Sequence, residues 1–199
     1  SCSESDHVFK SQLDLQGITV EDSSKKFKFI HLNGAHVPYI YDKDMNIINE
    51  LDGTYEQSAQ ATMVGAMDYV EHLRNSEAYD TTVLIVMSDH GYNGSLGQSG
   101  EATWMRQCAL LLIKGRNEHH DTMQISQAPI SFEDLQEAYV RQLDGRRSDE
   151  VFDWKEGDAR ERRFLRYSFL DDDHMQEYIQ TGYASDMDTM IPTGREYNR

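Results

Sequence analysis

TTVLIVMSDHG, residues 81–91, decides how this chain is read. Its first seven residues are an unbroken apolar run rich in β-branched side chains. That is the pattern of a strand buried on both faces of a parallel sheet. The run ends in Ser88, Asp89, His90 and Gly91, so the strand stops at a polar turn. Ahead of it, Ala59, Met63, Ala66, Met67, Val70 and Leu73 recur at spacings of three and four, which predicts an amphipathic helix from Thr54 to Arg74. Further back, FKFIHL (27–32) is a short aromatic and β-branched run ended by Asn33-Gly34, a strand followed by a turn. Strand, helix and strand make a βαβ unit, with parallel strands and a right-handed crossover expected.

The rest of the chain extends this pattern. GAHVPYIYDKDMN (34–46) contains Pro38 and no period, so it reads as a loop. YNGSLGQSGEATW (92–104) also reads as a loop, and CALLLIK (108–114) as a third strand. Ser131 with Asp134 forms a capping box, and Phe132, Leu135, Tyr139 and Leu143 continue it as a helix ended by Gly145. RRFLRYSFL (162–170) is a last strand, and the DDDH that follows reads as a negatively charged helix N-terminus, with a metal cluster as the alternative. Residues 1–26 are polar and read as loops around one weak strand or short helix, an irregular N-terminal segment. The expected class is α/β, with residues 1–199 as one domain.

Composition narrows the function. Among 199 residues, 19 Lys+Arg face 35 Asp+Glu, a formal charge of −16. A chain this acidic lacks the basic face that neutralises phosphates, so nucleic acid is excluded as a partner class. Anionic lipid surfaces are disfavoured for the same reason. An anionic substrate would need a metal or a local cluster of donors. No run of 18 apolar residues exists, so this chain is not expected to span a membrane. Cys2 and Cys108 make no disulfide framework, and Cys108 reads as a buried thiol. A start without Met suggests a piece of a longer protein.

In an open parallel sheet, ligands bind beyond the carboxyl ends of the strands. By that rule His36, after the first strand, and Asp89 with His90, after the second, project from one sheet edge. A carboxylate and an imidazole side by side on a turning backbone are oxygen and nitrogen donors suited to zinc and acceptable to manganese. The blander reading is a polar turn with Asp89 capping nearby amides. His36 is either a substrate-contacting donor or a loop histidine packed on Tyr39. His31 reads as structural and His119-His120 as a solvated loop. Asn93-Gly94-Ser95 is a turn before it is a glycosylation site.

FKFIHLNGAHVPY, IVMSDHG, LLLIKG and PISFEDL, in that order, resemble the C-terminal half of sulfatase-like proteins of the alkaline phosphatase superfamily. The likeness is to the bacterial branch that includes lipoteichoic acid synthases and phosphoethanolamine or phosphoglycerol transferases. EYIQTGYASDMDTMIPTGREY is similar to the way many of these proteins end, and the resemblance spans roughly residues 25–199. It implies a mixed, largely parallel sheet with helices on both faces, of which this chain is a part. It implies that Asp89 and His90 bind a divalent ion (zinc, manganese or magnesium) and that His36 is a catalytic-site residue contacting the phosphate or sulfate. The family's nucleophile and acidic ligand lie upstream, so Ser88, Ser95, Ser99 and Thr103 are not in its place.

The chain departs from the family in two places. The stretch GQSGEATW (97–104) has no histidine where the transferases often carry a further ligand; Gln98 or Glu101 would have to substitute. MRQCALLLIKG (105–115) keeps Arg106 but lacks the proline that often follows it. Three readings follow. One is the rear part of a metal-dependent phospho- or sulfo-ester hydrolase or transferase, extracytoplasmic, whose parent is membrane-anchored and acts on a lipid, glycan or polymer ester. Another is a non-catalytic binding or scaffold module that keeps the fold. The last is a phosphomutase or nucleotide pyrophosphatase relative, which needs more metal-binding histidines than can be assigned.

Overall fold

The computed structural model describes residues 5–21, 26–92, 107–144, 152, 154–167 and 174–198. The chain divides into two compact units, residues 1–84 with 116–118, and residues 85–115 with 119–199. Among the described residues there are three α-helices, α1 (Ser5–Gln16), α2 (Tyr55–Arg74) and α3 (Phe132–Leu143). The strands are β1 (Leu84–Met87), β2 (Leu111–Lys114), β3 (Arg162–Tyr167), β4 (His174–Gln180) and β5 (Met190–Asn198). β1 pairs with β2, and β3, β4 and β5 form a second sheet in that order. Both sheets are antiparallel. This is a small α+β fold, and it overturns the expectation of an α/β domain built on a mixed, largely parallel sheet with helices on both faces.

The βαβ reading fails at its first strand. FKFIHL lies in no ladder among the described residues, and Phe27 and Phe29 are 70% and 76% exposed. A carboxylate, not a neighbouring strand, satisfies the backbone at its end. Asp6, in the first turn of α1 and 1% exposed, accepts from the Asn33 amide at 2.8 Å and the Gly34 amide at 2.9 Å. Gly34 takes a positive φ of 66°, which the tight turn needs and a side chain would resist. α2 forms where its period predicts, yet it connects no pair of parallel strands. β1 pairs instead with β2, the next strand among the described residues. The Ser88 amide donates to Leu110 O at 3.2 Å, and the Leu110 amide donates to Ser88 Oγ at 2.9 Å, closing that end of the ladder.

In the first unit, α2 opens with a reciprocal cap. The Gln57 amide donates to Thr54 Oγ1 at 3.2 Å, and the Thr54 amide donates to Gln57 Oε1 at 3.1 Å. Its buried positions are Ser58, Ala61, Gly65 and Leu73, a stripe beside the one its larger apolar residues mark; Met67 is exposed. Small residues are needed there because a loop packs against them. Met45, 1% exposed, sits in a core cluster with Tyr41 and Ala61, and a Cβ on Gly65 would lie 2.8 Å from Met45 Cε. Between α1 and α2, Lys10 Nζ lies 2.8 Å from Asp14 and 3.0 Å from Asp68. Hydrogen bonds to Asp14 and Asp68 raise the Lys10 pKa, and Lys10 lowers that of Asp14.

In the second unit, the Ser131 amide donates to Asp134 Oδ2 at 2.8 Å and the Glu133 amide to Ser131 Oγ at 3.3 Å, so α3 starts at the predicted cap. Among its described side chains Asp134, Leu135 and Ala138 are buried, while Phe132 and Val140 are exposed. Arg160 ties this cap to the chain entering β3. Its guanidinium reaches Asp134 at 2.6 and 3.0 Å and Pro129 O at 3.0 Å, and it lies 4.5 Å from the Trp154 ring centre.

His174 begins a strand, which corrects the helix expected after DDDH; residues 171–173 lie outside the described ones. Across this sheet Phe164 stacks on Tyr178, ring centres 5.7 Å apart. Glu177 is buried on β4 next to Arg163 at 3.3 Å and accepts from the Tyr197 hydroxyl at 3.1 Å. Burial pushes its carboxyl up, but Thr193, Tyr197, Arg195 and Arg163 outweigh that and hold it below the usual glutamate value.

Candidate functional site

The Asp89-His90 pair follows β1 directly, just past the residue whose bonds to Leu110 close the ladder. A paired strand end therefore fixes the backbone that carries both side chains. His90 Nδ1 lies 2.6 Å from Gly91 O. A carbonyl oxygen only accepts, so in the neutral ring Nδ1 carries the proton and Nε2 keeps its lone pair. That lone-pair nitrogen is 3.8 Å from Asp89 Oδ2. Two ligands of a tetrahedral zinc, each at about 2.1 Å, stand about 3.4 Å apart. The pair is therefore within a few tenths of an ångström of the span that one ion requires, and both side chains are open to solvent.

His36 repeats the local device. It is exposed in the loop after Asn33-Gly34, with Nδ1 2.6 Å from Val37 O, so Nε2 again presents the lone pair. His36 belongs to the first unit, and Asp89 and His90 to the second. Within a unit, the structure brings together only Asp89 and His90 of these three. The argument that put His36 on a shared sheet edge with them lapses, because residues 27–32 are not a strand.

The other candidates fall away or lie elsewhere. Among the described residues no group of three His, Cys, Asp or Glu is placed to hold a metal ion. Residues 93–106, with Asn93, Gln98, Glu101, Arg106 and the loop hydroxyls, lie outside the described ones, as does Cys2. His31 is exposed, its ring 6.4 Å from that of Phe29. His119 and His120 are exposed in the loop after β2. Burial raises the Cys108 pKa and the Arg162 charge only partly opposes it, so this thiol is not a ready nucleophile. The residue that sequence reasoning missed is Asp6, which pins the turn leading to His36. Its only local signal is an acidic residue in the first turn of a helix, which does not announce a distant partner. No helix among the described residues is long and apolar enough to cross a membrane.

No family model matches the chain, and no curated protein or solved structure matches it either.

Proposed function

We propose that this chain supplies part of the active site of a metal-dependent, sulfatase-like hydrolase or transferase of phosphate or sulfate esters. The observation that carries the reading is the 3.8 Å spacing of Asp89 Oδ2 and His90 Nε2 at the end of β1, with the imidazole tautomer that leaves Nε2 free to ligate. The order of motifs from His36 to Asp89-His90 supports it. A divalent zinc, manganese or magnesium ion held there would act as a Lewis acid toward the ester's anionic oxygens. Such a centre answers a specific need, because a chain of charge −16 repels an anionic ester unless positive charge is concentrated locally. Asp89 and His90 hold that charge in place. The resemblance gives His36 the role of contacting the phosphate or sulfate, and its Nε2 is the ring nitrogen left open by the Val37 contact.

In this reading the nucleophile and the remaining ligands come from sequence preceding Ser1. The intact protein works outside the cytoplasm at a membrane, on an ester borne by a lipid, glycan or polymer. The test is hydrolysis of aryl phosphate and aryl sulfate by the intact protein with each metal in turn. Turnover on one of these esters is expected, falling by about 100-fold or more in Asp89→Ala and His36→Ala. Residues 1–199 alone are expected to be inactive. Turnover unchanged in Asp89→Ala would refute the ligand assignment. An intact protein that binds such esters without cleaving them would favour a non-catalytic module.

A further inference from the structure

We propose that Cys108, Met187 and Met190 form a sulfur site for a monovalent copper ion, independent of the ester chemistry above. The observation is a convergence of soft donors on one point. Gln107 Nε2 lies 3.4 Å from Met187 Sδ, 3.4 Å from Met190 Sδ and 3.2 Å from Ala184 O. Two sulfurs at that distance from one nitrogen cannot be farther apart than twice that length. The Cys108 thiol donates to the same Ala184 carbonyl at 3.0 Å, so the thiol and the Gln107 amide share one acceptor.

Local structure explains why the methionines point the same way. Met187 opens a 3₁₀ turn, Met187–Thr189, and Met190 is its C-cap residue. Side chains three apart on a 3₁₀ turn eclipse each other. The loop carrying that turn is held by Gln180, 3% exposed, whose Nε2 donates to Tyr183 O at 2.8 Å, Asp186 O at 3.1 Å and Ala184 O at 3.3 Å. The Asp186 carboxylate caps the turn by accepting from the Asp188 amide at 3.1 Å. The two methionines are thus held by a built loop, and an ion bound between them would take the place of the Gln107 amide.

Donor chemistry chooses the ion. A thioether is a weak acceptor for an amide N–H but a good ligand for a soft d¹⁰ cation. Thiolate alone would also suit zinc, but two thioethers beside it favour monovalent copper, and manganese or magnesium want oxygen. Charge agrees. Ligation sends the Cys108 thiol proton to solvent, and one thiolate neutralises one monovalent cation. The Arg162 guanidinium, which donates to Gly182 O and whose charge acts on Cys108, then faces a neutral centre. A divalent ion would leave a net positive charge beside that arginine.

The test is an anaerobic titration of the full chain with Cu(I) against bicinchoninate, with X-ray absorption to identify the ligand atoms. One ion bound through sulfur is expected. Binding should be about 100-fold weaker in the near-isosteric M187L/M190L pair. Equal affinity in the Leu pair, a nitrogen- or oxygen-only spectrum, or failure of the wild type to compete would overturn the assignment. If the Leu pair misfolds, the Met187 and Met190 methyl resonances of the wild type decide. They should shift with one equivalent of Ag(I), and their constancy would overturn the proposal.

Discussion

Asp6→Ala is expected to lower stability by about 3 kcal/mol and to release the turn that leads to His36. Asp6 is buried, and each of its carboxylate oxygens accepts one backbone amide, from Asn33 and from Gly34. Hydrogen bonds to an ionised acceptor stabilise more than neutral ones, and their loss strands two donors where water does not readily replace the partner. Asp6→Asn keeps the shape but offers a single acceptor oxygen, so about half the loss is expected. Denaturant unfolding reads the shift in midpoint at unchanged slope. Hydrogen exchange at Asn33 and Gly34 separates this account from a general loss of packing. Both amides should lose protection first, and protection retained in Asp6→Ala would show that the carboxylate is not what holds the turn.

Arg160→Ala should cost about 3–5 kcal/mol, the range for removing one partner of a buried ion pair. The side chains of Arg160 and Asp134 are 14% and 8% exposed, and the pairing is bidentate. Removal leaves the Asp134 charge uncompensated at the start of α3 and strips the Trp154 ring of its cation. Arg160→Lys should rescue little, because an ammonium cannot repeat the planar two-point contact. Removing both charges in Arg160→Ala with Asp134→Ala should be less damaging than the sum of the single changes. Strict additivity in that cycle would refute the coupling.

The predictions that hold are those carried by local signals. α3 is legible because Ser131 and Asp134 coincide with the onset of a helical period, and α2 because its apolar residues recur over about four turns. β1 and β2 are legible as apolar runs, but a run does not name its neighbour. Hence the direction of pairing is not legible, and neither is the fate of FKFIHL. Its end is held by a carboxylate 28 residues away in a polar segment that shows no core pattern. β4 is hidden because HMQEYIQ buries Glu177 and Gln180, which are polar residues satisfied by partners on other strands and loops. At the site, Asp89-His90 is legible as a pair of donors. The tautomer set by Gly91 O and the spacing of the two ligand atoms are not, because both depend on side-chain geometry.

The most direct test of the central claim is the divalent metal content of the intact protein, wild type against Asp89→Ala and His90→Ala. If the two side chains are ligands of one ion, the wild type should carry about one divalent ion per chain and each variant less than about a tenth of that. Equal content in all three proteins, or none in the wild type after incubation with zinc, manganese or magnesium, would contradict it.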